Sequence, residues 1–155
     1  MTSIRVLTVC LGNICRSPAA QGILQHEAEL KGLNLSLDSA GTAAYHIGKL
    51  PDSRSIDTLK QVGIDITGQR ARQVTEDDFQ TFDWILAMDQ ANYQHLKRLQ
   101  PTSSHAKLVM FGEFADHVSL GEVDDPYYGG DEGFTQMRHH LSEIAKRFLD
   151  HIASD

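Results

Sequence analysis

A cysteine and an arginine near the start of the chain have the types and spacing of a phosphate-handling site. Residues 9–18 read VCLGNICRSP, so that five residues separate Cys10 from Arg16. A thiolate is a strong nucleophile, and a guanidinium presents paired N–H groups that match phosphate oxygens. Gly12 and Asn13 tolerate the left-handed backbone that a tight anion-binding loop needs. The segment therefore predicts a thiol nucleophile beside an anion site.

A predicted strand and a predicted helix hold this loop between them. The apolar run at residues 4–9 predicts a buried strand, and residues 17–31 predict a helix. Such a strand carries Cys10 to the carboxyl edge of a sheet, where open α/β sheets bind ligands. The helix N-terminus adds the positive end of its dipole, which favours a thiolate. Ser17 has two interpretations: it donates a hydrogen bond to the Cys10 sulfur, or it caps a helix that has Pro18 at its first position.

Strand and helix patterns alternate along the rest of the chain. Further strands are predicted at residues 33–39, ending at Gly41, and at 83–88 and 107–111. After a loop at 42–52, further helices are predicted through 62–63, in a short turn opened by 75–78, and at 91–99. A last helix follows an irregular acidic segment at 121–132, and its apolar stripe is Phe134, Met137, Leu141, Ile144, Phe148 and Ile152. The pattern predicts an α/β fold, a three-layer α/β/α arrangement with a central four-stranded parallel sheet and the anion loop after the first strand. We expect residues 1–155 to form one domain, because no linker or repeat interrupts the pattern.

Composition narrows the classes of partner. The formal charge is −7, which argues against general nucleic-acid or membrane-surface binding. No apolar run approaches the about 18 residues of a membrane span, and the first residues lack a signal-peptide layout, so we expect a cytoplasmic protein without membrane insertion. The eight histidines are scattered and lack metal-ligand spacing. The two cysteines share the loop, where Cys15 is either a redox guard of Cys10 or a small buried residue.

A phosphoryl transfer to a thiolate also needs a proton donor for the leaving group. Among 21 acidic residues Asp125 stands out, because Pro126 stiffens it and Tyr127 and Tyr128 follow it. A solvated acidic turn is the alternative interpretation of this segment. Tyr45, Tyr127 and Tyr128 are candidate aromatic walls for a flat substrate.

Together these motifs resemble the low-molecular-weight protein tyrosine phosphatases. Residues 10–18 read as the family's phosphate-binding loop and residues 125–128 as its acid loop, and the likeness continues through 38–42, 71–73, 82–89 and the last helix. The resemblance implies an enzyme that hydrolyses phosphotyrosine and small aryl phosphates without metal or cofactor. It also implies a phosphotyrosine-containing protein as partner, with tyrosine kinases among the candidates, and a monomer that self-associates weakly at most.

The resemblance also implies a role for each motif residue. Cys10 would form a phosphocysteine intermediate, Asp125 would act as general acid and then base, and Arg16 would bind phosphate. The amides that bind phosphate with it would be those of Leu11, Gly12, Asn13, Ile14, Cys15, Arg16 and Ser17. Asn13, Ser17 and Ser39 would support the loop, and Tyr45, Tyr127 and Tyr128 would flank the substrate ring. One departure concerns Gln69, because many animal members have a histidine at this place behind the loop.

Three other functions compete with this interpretation. An arginine phosphatase typically has a threonine where this chain has Ile14, and a bulky apolar residue there suits a phenyl phosphate better. A thioredoxin-coupled arsenate reductase needs further cysteines downstream, and none follows Cys15. A phosphate-binding module without turnover would not need Cys10, Arg16 and Asp125 together.

Overall fold

Four parallel strands form a sheet in which the second, first, third and fourth strands of the chain are neighbours in that order. The computed structural model describes residues 3–115, 122–123, 125–126 and 130–153. The strands are β1 Ile4–Cys10, β2 Leu35–Gly41, β3 Trp84–Ala87 and β4 Lys107–Met110. The helices are α1 Arg16–Lys31, α2 Ser53–Lys60, α3 Asp78–Thr81, α4 Gln90–Leu99 and α5 Asp131–Ala153, with a 3₁₀ turn at Phe111–Phe114. The predicted four-stranded parallel α/β fold is confirmed.

Alternate side chains of β1 enter two separate apolar clusters. Val6 belongs to a cluster that also contains the apolar faces of α1 and α5, whereas Leu7 and Val9 belong to a cluster with Phe79 of α3 and Leu96 of α4. Because successive side chains of a strand point to opposite faces, the two clusters lie on the two sides of the sheet. Helices therefore cover both faces, which gives the three predicted layers.

The last helix buries the stripe that its spacing predicts. All six residues of the predicted stripe are buried: Phe134, Met137, Leu141, Ile144, Phe148 and Ile152. The helix begins at Asp131, so the irregular segment predicted to reach residue 132 is too long at its end. Acidic residues are favourable in a first helical turn because of the helix dipole, and this turn contains Asp131 and Glu132.

Several strand boundaries differ from the predicted ones, at β2 and β4 because residues at the strand ends belong to the adjoining turns. Gly32 ends α1 in the left-handed conformation at φ 69°, and the Leu33 amide donates to the Ala28 carbonyl, so β2 starts at residue 35 instead of 33. At the other end of the sheet, β4 stops at Met110 because the chain turns directly into the 3₁₀ turn. The β3 strand is likewise shorter than predicted, at four residues.

Helix boundaries also differ from the predicted ones. The α1 helix begins at Arg16 with Cys15 at its cap position and no side-chain cap bond, so the interpretation of Ser17 as the helix cap is wrong. The short helix predicted to open at 75–78 starts at Asp78, whose carboxylate accepts from the Thr75 amide. The α2 helix ends at Lys60, and the turn after it reaches Gly63 at φ 80°.

The carboxyl ends of β1 and β2 leave room for the loop that follows β1. A Cβ built on Gly41 would lie 2.8 Å from the Leu11 carbonyl oxygen, so only glycine lets the end of β2 approach the loop this closely. In the part of the chain that the structure describes, no helix is both long and apolar enough to cross a membrane.

Candidate active site

The loop at residues 10–17, here the Cys10 loop, turns its carbonyl groups towards the scaffold. The carbonyl oxygens of Cys10, Leu11 and Ile14 accept backbone N–H groups of the segment 42–52 at 2.9, 2.9 and 2.7 Å. The loop's own amides, from residue 11 onward, donate to no other residue within the described ranges. A tight turn of unpaired amides at a helix N-terminus is an anion-binding arrangement.

Asn13 holds the loop in its shape through its backbone and its side chain. It is the one non-glycine residue with a positive φ, 57°, among the described residues. Its Nδ2 donates to Ser17 Oγ at 2.8 Å and to Ser39 Oγ at 2.9 Å, and its Oδ1 accepts the Arg72 amide at 3.0 Å. The structure thus brings together Asn13, Ser17 and Ser39, the three residues predicted as loop support.

Gln69 completes the network behind the loop. Its Oε1 lies 3.4 Å from Ser39 Oγ, which donates to it, and its Nε2 donates to the Pro18 carbonyl at 3.0 Å. An amide offers both a donor and acceptors. Gln69 therefore links β2 to the start of α1 at the position where the sequence departs from many animal members of the resembled family.

Ser17 places a hydroxyl beside the proposed nucleophile. Its Oγ lies 3.0 Å from the Cys10 Sγ, and either atom can be the donor. The Thr8 hydroxyl donates to the Ser17 carbonyl at 2.8 Å, which fixes Ser17 against β1. Of the two interpretations of Ser17, the contact with the Cys10 sulfur is the one that the geometry supports. A hydroxyl that donates to sulfur stabilises the thiolate form.

Arg16 is almost completely buried and is oriented by acceptors from distant parts of the chain. It is 2% exposed, and its Nη1 donates to Asp89 Oδ2 at 2.8 Å and to the Val123 carbonyl at 3.0 Å. Its Nη2 lies 3.6 Å from Asp125 Oδ2. Burial works to lower the pKa of Arg16, but Cys10 and the two carboxylates outweigh it and raise that pKa. Arg16 therefore stays charged in the cleft.

Asp125 reaches the cleft from a short anchored segment. The Val123 amide donates to the Met88 carbonyl at 2.7 Å at the end of β3, and Pro126 is buried. Between these two points the Asp125 side chain is 40% exposed and faces Arg16. The carboxyl thus has access both to solvent and to the cleft.

A cleft of about 310 Å³ opens over the loop. Its lining residues are Cys10, Leu11, Gly12, Ile14, Cys15, Arg16, Tyr45, His46 and Asp125. The predicted wall residue Tyr45 stands at the mouth with 73% of its surface exposed. Tyr127 and Tyr128, the other predicted walls, lie outside the described residues.

His46 is a lining residue that the sequence analysis missed. Its ring makes an edge contact with the Tyr45 ring at 6.4 Å between centroids. A Cβ on Gly12 would lie 2.8 Å from His46 Cδ2, so Gly12 allows the imidazole to lie against the loop. The sequence signal for His46 was its position directly after Tyr45, a predicted wall residue of the cleft.

The two cysteines differ in their surroundings. Both are reduced and buried. Burial raises the pKa of the Cys15 thiol, and the carboxylate of Asp52 raises it further. Cys15 is thereby kept as a neutral thiol, whereas Cys10 lies beside Ser17 Oγ and the Arg16 guanidinium.

Two residues that orient the site also escaped the sequence analysis. Asp89 caps α4 by accepting the Asn92 amide at 2.8 Å and binds Arg16 with its other oxygen. Arg72 offers its amide to Asn13, while its guanidinium is held by Asp38 and Asp78 at 3.0 Å each. An acidic residue directly after a strand was the signal for Asp89, and Arg72 gave no signal because only its backbone contacts the loop.

The described residues form no cluster of metal ligands. Across residues 3–115, 122–123, 125–126 and 130–153 no group of three or more His, Cys, Asp and Glu side chains is placed to hold a metal ion. The chemistry that the described cleft offers comes from a thiol, a guanidinium, backbone amides and a carboxyl group.

Comparisons with known proteins match this geometry across the chain. Residues 5–155 fit the family model of the low molecular weight phosphotyrosine protein phosphatases. The Schizosaccharomyces pombe protein of that name is 44% identical over 154 residues, covering 97% of this chain and 98% of the relative.

Two solved structures share the fold in full. A protein tyrosine phosphatase from Entamoeba histolytica, crystallised with Hepes in its active site, has a TM-score of 0.92 and 36% identity, with 98% of each chain covered. The Drosophila arginine phosphatase has a TM-score of 0.92 and 34% identity, with 98% of this chain and 99% of the other covered. The family model and the relatives span nearly every residue, including the Cys10 loop. The chain belongs to the low molecular weight phosphotyrosine protein phosphatase family.

Proposed function

We propose that this protein hydrolyses phosphotyrosine and small aryl phosphates through a phosphocysteine intermediate on Cys10. One observation carries the proposal: a single cleft is lined by the Cys10 thiol, the Arg16 guanidinium and the Asp125 carboxyl. These are a nucleophile, an anion clamp and a proton donor, the three functions that phosphate monoester cleavage by covalent catalysis requires.

In the first step the Cys10 thiolate attacks phosphorus in line with the leaving phenolate. The S–P bond forms, the P–O bond to the ring breaks, and Asp125 gives its proton to the phenolate oxygen. A bound phosphate dianion would engage Arg16 and lie beside the Asp125 carboxyl.

In the second step water attacks the phosphocysteine. Asp125, now a carboxylate, takes a proton from the water as the new P–O bond forms, and the S–P bond breaks to release inorganic phosphate. The thiolate is restored, and Asp125 regains from water the proton that it gave to the phenolate in the first step. No metal or cofactor takes part in either step.

Arg16 and the loop amides would hold the three equatorial oxygens of the phosphoryl group. Their charge and dipoles are oriented before substrate arrives, so they stabilise the transition state without reorganisation. Asn13, Ser17 and Ser39 would keep the amides in place, and the Ser17 hydroxyl would stabilise the thiolate as a leaving group in the second step.

Tyr45 would flank the substrate ring from the mouth of the cleft, next to Ile14. The wall roles of Tyr127 and Tyr128 remain predictions from the sequence. So does the role of Cys15 as a redox guard of Cys10.

An arginine phosphatase is the second candidate function. The likeness to the Drosophila arginine phosphatase supports it, and the apolar side chain of Ile14 in the cleft argues against it. A phenyl ring gains from contact with an apolar side chain, whereas a phosphorylated guanidinium would leave its N–H groups without acceptors there.

A substrate panel distinguishes the two. Wild type and Ile14→Thr are assayed on equal amounts of free phosphotyrosine, phosphoarginine and phosphoserine. We expect wild type to prefer phosphotyrosine to phosphoarginine by about tenfold or more, and Ile14→Thr to reduce that preference. Equal rates of wild type on both substrates would make the arginine phosphatase the better account.

Two further alternatives have simple tests. An arsenate reductase would consume a thiol reductant when given arsenate, and we expect no such turnover. A non-catalytic phosphate-binding module would release no nitrophenol from p-nitrophenyl phosphate, whereas we expect steady release that a metal chelator does not change.

The remaining predictions concern the whole chain. We propose that residues 1–155 act as one domain, that the protein is a monomer located in the cytoplasm, and that its substrates are phosphotyrosine proteins, with tyrosine kinases among them. Sedimentation at the concentrations used in the assays tests the monomer directly.

A further inference from the structure

The start of α2 is fixed to the Cys10 loop by two hydrogen bonds. The Asp52 amide donates to the Ile14 carbonyl at 2.7 Å. One turn into the helix, Ser55 Oγ donates to the Cys15 carbonyl at 3.3 Å. Asp52 also caps the helix, since its Oδ1 accepts the Arg54 amide at 2.9 Å. A side chain anchored at this end of α2 is therefore fixed relative to the loop that contains the nucleophile.

Arg54 connects this anchor to the start of α5. Its Nε and Nη2 donate to the two carboxylate oxygens of Asp52 at 3.0 Å each, which is a bidentate pair. Burial works to raise the pKa of Asp52, but the hydrogen bonds and charge of Arg54 outweigh it and lower that pKa, so the pair is ionised. The guanidinium carbon of Arg54 also lies 4.4 Å from the centre of the Phe134 ring, a cation–π contact with a side chain that is 1% exposed.

The first turn of α5, which contains Phe134, lies beside the segment that carries Asp125. A Cβ built on Gly133 would be 3.6 Å from the Pro126 Cβ, so this turn lies in contact with Pro126. Pro126 is buried and directly follows Asp125. A proline fixes its own φ and restricts the residue before it. The placement of Pro126 against α5 therefore limits where the Asp125 carboxyl can lie.

We propose that Arg54 is a positioning residue for Asp125: by holding the start of α5 against Asp52, it sets the distance between the general acid and the Cys10 loop. This inference rests on the proposed function, in which Asp125 gives its proton to the leaving phenolate. Arg54 is not among the described residues that line the cleft, so it acts through the residues that it holds.

The position of a general acid has a large effect on the rate. The acid must lie within hydrogen-bond reach of the leaving oxygen, and a displacement of about 1 Å can cost about 100-fold in rate. Before Asp125 the segment is anchored to the end of β3, where the Val123 amide donates to the Met88 carbonyl at 2.7 Å. Arg54 supplies an anchor on the other side, after Asp125.

The test separates positioning of the acid from support of the fold. A purely structural Arg54 would affect all substrates equally, whereas a positioning residue affects the step that uses the proton. The readout is kcat/KM for phenyl phosphate, p-nitrophenyl phosphate and dinitrophenyl phosphate, whose phenols are increasingly acidic, because kcat/KM covers the steps up to release of the phenol.

The variants are Arg54→Gln and Arg54→Lys, with Arg138→Gln as the matched control. Arg138 lies one turn further along α5, and its Nη1 donates to the Thr58 carbonyl of α2 at 2.8 Å. Its variant therefore removes a guanidinium between the same two helices at a greater distance from Asp125 along the chain. Arg54→Gln is also made in an Asp125→Ala background.

We expect Arg54→Gln to lower kcat/KM about tenfold for phenyl phosphate and about twofold at most for dinitrophenyl phosphate, because a strongly acidic phenol leaves without a proton. Arg54→Lys keeps the charge over the Phe134 ring but not the bidentate fork, so it should show a smaller loss with the same pattern. Arg138→Gln should keep the wild-type value on all three substrates. In Asp125→Ala, the added Arg54→Gln should change kcat/KM by about twofold at most, since the acid is already absent.

Four results would overturn the inference: an equal loss on all three substrates, wild-type values in Arg54→Gln, the same pattern in Arg138→Gln, or a further tenfold loss in the Asp125→Ala background. If Arg54→Gln does not fold, Arg54→Lys is judged by the same criteria. An equal loss together with weaker inhibition by inorganic phosphate would make Arg54 an anion-binding residue. A wild type that leaves p-nitrophenyl phosphate intact, or an Asp125→Ala variant as active as wild type, would contradict the proposed function.

Discussion

The buried arginine of the cleft has carboxylates as partners until a phosphate arrives. Arg16 is bound to Asp89 at 2.8 Å and faces Asp125 at 3.6 Å, so its charge is compensated inside the protein. A buried charge without a partner would destabilise the folded protein by roughly several kcal/mol. The carboxylates beside Arg16 avoid that cost. Asp89 has a second bond that fixes it at the α4 cap, whereas Asp125 is more exposed and is the partner that can change its contact.

Asp125 is therefore the residue whose removal separates binding from proton transfer. In Asp125→Ala we expect the kcat for phosphotyrosine to fall by about 10²–10⁴-fold, because the phenolate leaves without a proton. The fall in kcat should be smaller for aryl phosphates whose phenols are stronger acids, since such phenolates leave readily without a proton. Steady-state rates across such a series measure this, with Glu122→Gln as a matched control in the same segment. A uniform loss across the series would exclude Asp125 as the acid.

Asn13 combines a strained backbone with a side chain of three hydrogen bonds, and two variants separate these features. We expect both Asn13→Gly and Asn13→Ala to lower kcat by about 10-fold or more, because the loop amides lose their alignment. Asn13→Gly should unfold at a higher temperature than Asn13→Ala, since glycine adopts a φ of 57° without strain, a difference of about 1 kcal/mol. Calorimetry and steady-state kinetics test the two parts. Full activity in Asn13→Gly would show that the side-chain bonds are dispensable.

Cys15 should matter during oxidation. Peroxide converts the Cys10 thiolate to a sulfenic acid, and attack by the Cys15 sulfur forms a disulfide and releases water. We expect dithiothreitol to restore most activity to peroxide-treated wild type, but little to Cys15→Ser, each relative to its untreated sample. The raised pKa of Cys15 slows this closure, so the peroxide exposure must be long enough for an unguarded Cys10 to pass from sulfenic to sulfinic acid. Equal recovery in both proteins would remove the guard role.

At the scale of elements, the sequence predicts which helix and strand faces are buried, because hydrophobic periodicity determines them. It misses the boundaries that turns determine. The apolar stripe of α5 and the apolar run of β1 were predictable, because the helix must bury one face and the strand must bury both. The start of β2 and the end of β4 were not, because Gly32 and the 3₁₀ turn decide them through local backbone bonds. The start of α1 at Arg16 was missed because the last two residues of the Cys10 loop, Arg16 and Ser17, already belong to the helix.

One hydrogen-bonded carboxylate joins three strands at the end of the sheet opposite the cleft. Asp83, just before β3, accepts the Arg5 amide of β1 at 2.8 Å and lies 2.7 Å from His105 Nε2, which precedes β4. Partial burial works to raise the pKa of Asp83, but the bonds from Arg5 and His105 and the charge of Arg5 lower it. The ionised form is thus favoured in the folded state.

The sign of the pH effect follows from that lowered pKa. The stabilisation is present above the unfolded value of about 3.9 and is lost as pH falls through the lower folded pKa. Asp83→Asn should reduce the free energy of unfolding at pH 7 by about 1 kcal/mol, and the difference from wild type should shrink below about pH 4. Thermal unfolding between pH 3 and 7 tests this, with exposed Asp77→Asn as the control. A constant difference across that range would contradict the assignment.

At the scale of the whole molecule, the predictable part of the site is the part that is continuous in sequence. Cys10, Arg16 and the loop amides follow from one segment, and Asp125 follows from its neighbours. The partners that orient them come from far along the chain, since Arg16 and Asp89 are 73 residues apart and Asn13 and Arg72 are 59 apart. Tertiary structure alone creates those contacts, which is why His46, Asp89 and Arg72 were missed.

Net charge is a poor guide to the ligand of this molecule. A chain with a charge of −7 nevertheless contains an anion site, because the loop amides and Arg16 act at contact distance while distant carboxylates are screened within about 8–10 Å. We expect the KM for p-nitrophenyl phosphate to change little, about twofold at most, between low and physiological ionic strength. Kinetics at several salt concentrations check this. A steep dependence would mean that the field of the whole protein governs substrate binding.

The central claim is that Cys10 carries the phosphoryl group, and trapping that intermediate tests it most directly. Asp125→Ala is mixed with p-nitrophenyl phosphate, quenched rapidly and digested, and the peptides are mapped by mass spectrometry. We predict one phosphate on Cys10, the same adduct when Cys15 is also changed to serine, and no adduct or turnover in Cys10→Ser. Full turnover by Cys10→Ser, or a phosphate found on another residue, would contradict the account.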